Sequence, residues 1–285
     1  MIDGVPLIDA HVHAPALEGL KVPWADWTGG FSSGEGTRAL YENGLIVPER
    51  FHAYLEHEGV DIALVFAEYS PKVTGIQPVE DILPLVEHDP GRVRLVANLN
   101  PHLHHPATDE LERQLALGAV ALKIHPVHGG FPVNARALYK AYSVCEERGI
   151  PVIVHFGTSV YPGASNRYVD AGELNDVVDD LRDLTLVLAH GGRGWAYDVA
   201  AVLALGRPNV WIEISGLPPK KLPEYFARFD LARLAERFIF GTDWPGVPGI
   251  RANAEAVAGL GFDRDLLEKV FYRNALAVYG LELPS

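Results

Sequence analysis

The chain has 285 residues, 48% hydrophobic and 21% charged, a composition typical of a soluble globular protein. No apolar run approaches the roughly 20 residues that cross a bilayer, and the N-terminus carries no export signal, so we expect a cytoplasmic protein that does not bind membranes. The net charge of −13 disfavours nucleic acid as a partner, because nucleic acid selects for clustered lysine and arginine, but it is compatible with a small anionic substrate.

Eight short apolar runs bounded by turn residues are typical of β-strands. In chain order they are residues 6–11, 61–67, 93–99, 119–125, 151–156, 185–190, 209–215 and 237–243. Helical patterns fill most of the intervening segments, and Gly59, Gly118 and Gly149 end three of them immediately before a strand, as C-terminal caps do. Eight strand–helix units predict an α/β fold, a single-domain (β/α)8 TIM barrel over residues 1–285.

A doubly wound open sheet is the competing fold. That fold normally places a glycine-rich phosphate-binding turn after its first strand. Here the first strand is followed by His11-Val12-His13-Ala14-Pro15. The barrel is therefore favoured.

Two connections are long, residues 14–47 after the first strand and residues 157–169 after the fifth. In a barrel both lie over the C-terminal mouth, where active sites form. Both carry aromatic residues, which predicts a lid or a pocket wall in which Trp24 and Tyr161 contact substrate.

The single cysteine, Cys145, excludes an intrachain disulfide and falls in a helical pattern, where we expect a buried structural thiol.

Polar residues with metal-binding side chains end several of the predicted strands. His11 and His13, two residues apart, leave the same face of the first strand. With twelve histidines in the chain, the number of such pairs expected by chance is roughly 0.5, so the spacing by itself is weak evidence for a metal site. Lys123, His125, His155, His190 and Asp243 end other strands at the same side of the barrel. Their convergence predicts a divalent metal site.

These segments resemble the amidohydrolase superfamily, and within it the amidohydrolase-related branch that includes aminocarboxymuconate semialdehyde decarboxylase and resorcylate decarboxylases. The matching segments are Ile8–His13, Ala121–Pro126, Val152–Gly157, Leu188–Gly192 and Phe240–Pro245, with a closing helix at Asn274–Gly280. The resemblance spans the whole chain. It is specific for the superfamily and not for a substrate.

The resemblance implies that His11, His13, His155 and Asp243 bind a divalent ion, most often zinc, which makes hydroxide available near neutral pH. Asp243 would accept a proton from water. His190 would polarise the substrate, shuttle a proton, or serve as a further metal ligand.

The resemblance to this superfamily implies two possible roles for Lys123. In binuclear members a carboxylated lysine at this position bridges two metals, whereas an unmodified lysine contacts substrate. The following residues, Ile124-His125-Pro126, resemble single-metal members, so one ion is favoured over two. Iron and manganese also suit such ligands. His125 shares the face of Lys123 and would support it or contact substrate.

Further polar residues could face the barrel mouth. Arg167 has the planar fork that binds a substrate carboxylate. Glu68 and Glu213 either face the mouth or are structural, hydrogen-bonded carboxylates. The histidines at 102, 104 and 105 are expected to be solvated.

We therefore expect a metal-dependent hydrolase of a small-molecule amide, lactone or ester, in which Asp243, His190 and Lys123 are the catalytic residues. The alternative is a non-oxidative decarboxylase of an unsaturated or aromatic acid on the same site. An iron oxygenase with a dinuclear site and a non-catalytic metal-binding barrel are less favoured. The sequence leaves a homo-oligomer open.

Overall fold

The computed structural model describes residue 2, residues 4–21 and residues 35–284. Eight parallel strands form one sheet in which each strand pairs with the next along the chain. They are β1 (Ile8–Val12), β2 (Ile62–Phe66), β3 (Val93–Leu99), β4 (Ala121–Ile124), β5 (Val152–Gly157), β6 (Leu186–Arg193), β7 (Val210–Glu213) and β8 (Phe238–Ile239). Nearly every strand residue is buried, as expected for strands covered on both faces.

Backbone hydrogen bonds bring the first and last strands together. Ala10 N donates to Phe240 O at 3.0 Å, Asp243 N to His11 O at 2.9 Å, and His13 N to Trp244 O at 2.8 Å. The sheet thereby forms a nearly closed barrel, and the predicted (β/α)8 fold is confirmed. The same three bonds hold His11 and His13 next to Asp243.

The outer helices are α1 (Pro48–Glu58), α2 (Leu83–His88), α3 (Ala107–Ala116), α4 (Arg136–Arg148), α5 (Ala171–Asp180), α6 (Tyr197–Gly206), α7 (Leu231–Ala235) and α8 (Ile250–Ala258). Shorter helices are Glu35–Arg38, Pro126–Gly129, Leu222–Tyr225, Arg264–Glu268 and Asn274–Tyr279, with a π-helical turn at Lys269–Arg273 and 3-10 turns at Leu17–Gly19, Val79–Asp81, Asn166–Tyr168 and Pro219–Lys221. Gly59 and Gly149 cap α1 and α4 in the left-handed conformation, as predicted.

Two apolar layers make up the core. One lies between the strands and the outer helices, and the other fills the inside of the barrel. The inner layer also includes Ala275, Val278 and Tyr279 of the C-terminal helix Asn274–Tyr279. Val278 lies beside the loops that lead into β6 and β7. The C-terminal helix therefore covers the N-terminal end of the barrel, and the polar residues gather at the other end.

The long connection at residues 14–47 contains regular structure where it is described. It includes the turn Leu17–Gly19, the helix Glu35–Arg38 and a hairpin of Tyr41–Glu42 with Leu45–Ile46. Trp24, the predicted substrate contact, lies outside the described residues. After β2, a second hairpin pairs Glu68–Ser70 with Gly75–Gln77. Within the described ranges, no helix has the length and hydrophobicity required to span a bilayer.

Candidate active site

Asp9 of β1 forms hydrogen bonds to the segment after β8, and these bonds fix the relative position of the two segments that carry the site. One of its oxygens accepts hydrogen bonds from His11 N at 3.1 Å and Thr242 N at 2.9 Å, and the other accepts from Thr242 Oγ1 at 2.6 Å. Burial raises the pKa of Asp9 to about 7 despite these donors. Asp9 is not among the residues predicted from the sequence, although it shares the i, i+2 face of His11.

The side chains of His11, His13 and Asp243 form a compact group of possible metal ligands. His11 Nε2 lies 3.3 Å from His13 Nε2 and 3.5 Å from Asp243 Oδ1, and His13 Nε2 lies 3.3 Å from the same oxygen. Atoms bound tetrahedrally at about 2.0–2.1 Å from one zinc ion are about 3.4 Å apart. The three atoms therefore fit a divalent metal ion.

Glu213 and Ser215 orient His11 from behind. Both oxygens of Glu213 lie close to His11 Nδ1, at 2.9 and 3.0 Å, and Ser215 Oγ lies 3.0 Å from the same nitrogen. A carboxylate only accepts, so Nδ1 carries the proton and Nε2 presents its lone pair to the ligand group. Burial lowers the pKa of His11 to about 4, which keeps the imidazole neutral, as a metal ligand must be.

Asp243 is held as a carboxylate. Burial opposes its ionisation, but a hydrogen bond from His13 and the neighbouring histidines outweigh that cost, so its pKa lies well below the ordinary value. Asp243 also has a φ of 69° and His190 a φ of 67°, two of only three positive values among non-glycine residues in the described part of the chain. Such backbone strain is concentrated at functional sites.

His155 and His190 form a separate hydrogen-bonded pair beside the ligand group. His190 Nε2 lies 3.0 Å from His155 Nδ1, and His155 Nε2 lies 2.9 Å from Gly157 O. Burial lowers the pKa of both imidazoles well below the ordinary value, so both are neutral. His155 Nε2 faces the carbonyl oxygen of Gly157, and His190 Nδ1 faces the carbonyl oxygen of Ser215 at 2.9 Å. The structure does not bring His155 into the ligand group, and its predicted metal ligation stays a prediction.

Lys123 lies under the ligand group. Its Nζ is 3.3 Å from His11 Nε2 and 4.7 Å above the ring of Phe66. Burial lowers the pKa of Lys123. An amine in this position approaches the ligand atoms from the barrel interior, which suits both roles predicted for it.

A cavity opens from the ligand group. Besides His11, His13 and Asp243, it is lined by Glu68, Thr74, His125, His128, His155, Tyr161, His190 and Arg193. An adjoining cavity of about 570 Å³ shares Arg193 and Asp243 with it. The walls of this larger cavity are mostly apolar, with Leu217, Pro218, Val247, Pro248 and Ala252 among them, and Lys220 is a second basic residue on its wall.

Arg193 stands where the two cavities meet. Its Nε and Nη2 donate to Thr158 O at 3.1 and 2.9 Å, and its Nη1 donates to Gly216 O at 3.3 Å. Among the described residues, no carboxylate oxygen lies within 4.0 Å of its guanidinium. A Cβ at Gly216 would lie 2.6 Å from Nη1, so any larger residue there would displace the end of this side chain.

The predicted substrate contacts divide into two groups. His125 and Tyr161 line the cavity at the ligand group. Arg167 does not, because the turn Asn166–Tyr168 directs it outward, where it is exposed and stacks on the ring of Tyr168. Arg193, which follows the segment Leu188–Gly192, holds the position expected of an anion-binding arginine. Its place directly after a matching segment was a signal available in the sequence.

A family model described as Amidohydrolase matches residues 8–281. No curated protein matches the chain. Among solved structures, an uncharacterised TIM-barrel protein from Bordetella bronchiseptica has a TM-score of 0.75 at 23% identity, covering 97% of this chain and 100% of that one.

Two further structures share the fold. A probable 2-pyrone-4,6-dicarboxylic acid hydrolase from Acinetobacter baumannii, with citric acid bound, has a TM-score of 0.66 at 16% identity and covers 96% of this chain and 99% of that chain. A dihydroxybenzoic acid decarboxylase from a Polaromonas species, with bound manganese and the inhibitor 2-nitroresorcinol, has a TM-score of 0.68 at 16% identity and covers 97% of both chains.

Proposed function

This chain belongs to the amidohydrolase family and is an enzyme of that superfamily, and on that premise we propose that it is a metal-dependent hydrolase of a small organic acid containing an amide, lactone or ester. The observation that carries the proposal is the position of Asp243. One of its oxygens belongs to the ligand group, and its side chain lines both cavities. A carboxylate so placed could contact both an ion held by this group and a substrate in the cavity.

His11, His13 and Asp243 would hold the ion, and zinc suits their donor set. A divalent ion supplies Lewis acidity and lowers the pKa of water toward neutrality. Asp243 then accepts the proton of the attacking water, because it is an ionised carboxylate at the cavity. His190 of β6, fixed through Ser215 and His155, lines the same cavity and would face the substrate.

Arg193 supports an anionic substrate. Its charge has no carboxylate partner within 4.0 Å among the described residues. Nη1 and Nη2 each keep one N–H beyond those donated to Thr158 O and Gly216 O, and a carboxylate could accept these two in parallel. The apolar walls of the larger cavity would then hold the body of the substrate. The net charge of −13 gives no general attraction for anions, so binding depends on local cations, of which Arg193 lies nearest the ligand group.

Non-oxidative decarboxylation is the second candidate. Arg193 favours it as well, since a decarboxylase also has to place a substrate carboxylate at the site. The structural likeness to a dihydroxybenzoic acid decarboxylase is one of fold. In this reading the same residues would orient the acid, and His190 would donate a proton to the carbon that loses carbon dioxide.

Product analysis separates the two reactions. Zinc-loaded protein is incubated with carboxylate-bearing lactones, esters and amides, and with hydroxylated aromatic acids, while ring opening, acid release and carbon dioxide are measured. We expect hydrolysis, abolished in Asp243→Asn and retained in Asp183→Asn, an exposed residue at the opposite end of the barrel. Release of carbon dioxide without any hydrolysis would replace the proposal with the second candidate.

A further inference from the structure

A second group of candidate ligands lies across the same cavity. The ligand atoms of Glu68, His125 and His128 all lie within 4.8 Å of one another, and all three residues are buried. None of them belongs to the group formed by His11, His13 and Asp243. We propose that Glu68, His125 and His128 bind a second divalent transition-metal ion. This inference goes beyond the proposed hydrolysis and does not depend on it.

The local fold leaves one buried imidazole nitrogen of this group without a hydrogen-bond partner among the described residues. His125 precedes the short helix Pro126–Gly129, and its Nδ1 accepts a hydrogen bond from the backbone N–H of His128 at 3.3 Å. His128 Nε2 lies 2.8 Å from Ser159 Oγ. His128 Nδ1 is buried, and within the described ranges it has no hydrogen-bond partner. A buried nitrogen without a partner is costly unless something binds it.

Glu68 adds a buried negative charge to this group. The residue is 3% exposed, and the hydroxyl of Thr74 donates to its Oε1 at 3.1 Å. No lysine or arginine nitrogen from the described part of the chain comes within 4.0 Å of its carboxylate. One hydroxyl donor does not offset the desolvation of a buried carboxylate. A cation held jointly by Glu68 and the two imidazoles would supply the missing charge.

The donor set indicates the class of ion. Two imidazoles and one carboxylate suit zinc, iron, cobalt or manganese, whereas calcium and magnesium prefer oxygen ligands alone. Three protein ligands leave positions open toward the cavity, where the ring of Tyr161 lies 5.6 Å from that of His128. An ion here would provide a second anchor for an anionic group of a ligand in the cavity.

This arrangement differs from a metal pair bridged by Lys123. The second group lacks Lys123, and its ligands come from the hairpin after β2 and from the segment after β4. The imidazole of His155 stacks on that of His125, with 3.9 Å between ring centroids, and hydrogen-bonds to His190. The two groups share no residue, so each group would bind its own ion.

Metal counting tests the proposal without any measurement of turnover. Apo-protein is titrated with Co²⁺ while its visible absorption is recorded, and bound metal per chain is determined after desalting. We expect two ions per chain in the wild type, one in Glu68→Gln and one in His13→Ala. His57→Ala, which removes an exposed histidine of α1, should retain two.

Glu68→Gln removes the charge but keeps the shape and an oxygen that accepts from Thr74, so it should fold even if substitutions of His128 do not. Circular dichroism checks the fold of every variant. A wild-type protein that binds a single ion, lost in His13→Ala and kept in Glu68→Gln, would overturn the proposal. So would two ions in folded Glu68→Gln.

Discussion

Glu213 accepts a hydrogen bond from His11 Nδ1, with its two carboxylate oxygens 2.9 and 3.0 Å from that nitrogen. Both residues are almost completely buried. The contact selects the tautomer in which His11 Nε2 faces His13 and Asp243. A carboxylate behind an imidazole also raises the basicity of the ligand nitrogen. The metal-binding capacity of β1 therefore depends on a residue at the end of β7.

Replacing Glu213 with glutamine should weaken metal binding at the His11 group by about 10–100-fold, because the amide provides less charge and can donate to Nδ1, which favours the wrong tautomer. Competition with a chromogenic chelator measures the change in Kd. Glu236→Gln, an exposed carboxylate paired with Lys269, serves as the control. An unchanged Kd in folded Glu213→Gln would contradict this role.

Substitution of Gly216 should disturb Arg193. Gly216 has a φ of 61°, and an alanine Cβ would lie 2.6 Å from Arg193 Nη1. We expect Gly216→Ala to lower stability by about 1–2 kcal/mol through backbone strain alone, and further through the clash. Gly261→Ala is matched to it, because that position has a φ of 84° with no atom within 4 Å of the added Cβ. Urea unfolding should show a larger decrease in the free energy of unfolding for Gly216→Ala than for Gly261→Ala. Equal decreases would exclude a contribution from the clash with Arg193.

Arg193→Lys should impair binding of an anionic substrate while the barrel stays intact, because lysine lacks the planar fork. Loss of one of the two charge-assisted hydrogen bonds, about 1.5–3 kcal/mol, corresponds to a rise in KM of roughly 10- to 150-fold. Steady-state kinetics are measured on a carboxylate substrate and on its neutral ester. A rise in KM for the carboxylate alone separates this effect from a loss of activity on every substrate. Arg167→Lys should leave KM unchanged. A rise in KM in Arg167→Lys but not in Arg193→Lys would instead identify Arg167 as the residue that binds the anion.

Cys145 should be inert in the folded protein. Burial in α4 raises the pKa of its thiol to about 12, so about one molecule in ten thousand carries the reactive thiolate at pH 8. A thiol-reactive chromogen should give no signal in buffer at pH 8 and one equivalent per chain in concentrated urea. Stoichiometric reaction in buffer within minutes would show that α4 opens readily.

The barrel was predictable from the sequence because its signals are local. Apolar runs define the strands to within a few residues, and the family model then identified the chain as an amidohydrolase, as its motifs indicated. The last strand shows the limit of such signals. The run 237–243 predicted seven strand residues, but β8 is only Phe238–Ile239, because the following residues turn to place Asp243 at a positive φ.

The sequence by itself determined that His11 and His13 share a face, since side-chain alternation follows from backbone geometry, and it predicted that His190 and Asp243 lie on the same side of the barrel as this pair. Only the tertiary structure decided which of these atoms meet. It placed Glu213 behind His11, turned His155 toward His190 and Gly157, and brought Arg193 rather than Arg167 to the cavity. These outcomes depend on strand register, side-chain rotation and the path of the loops, which are set by contacts between residues far apart in the chain.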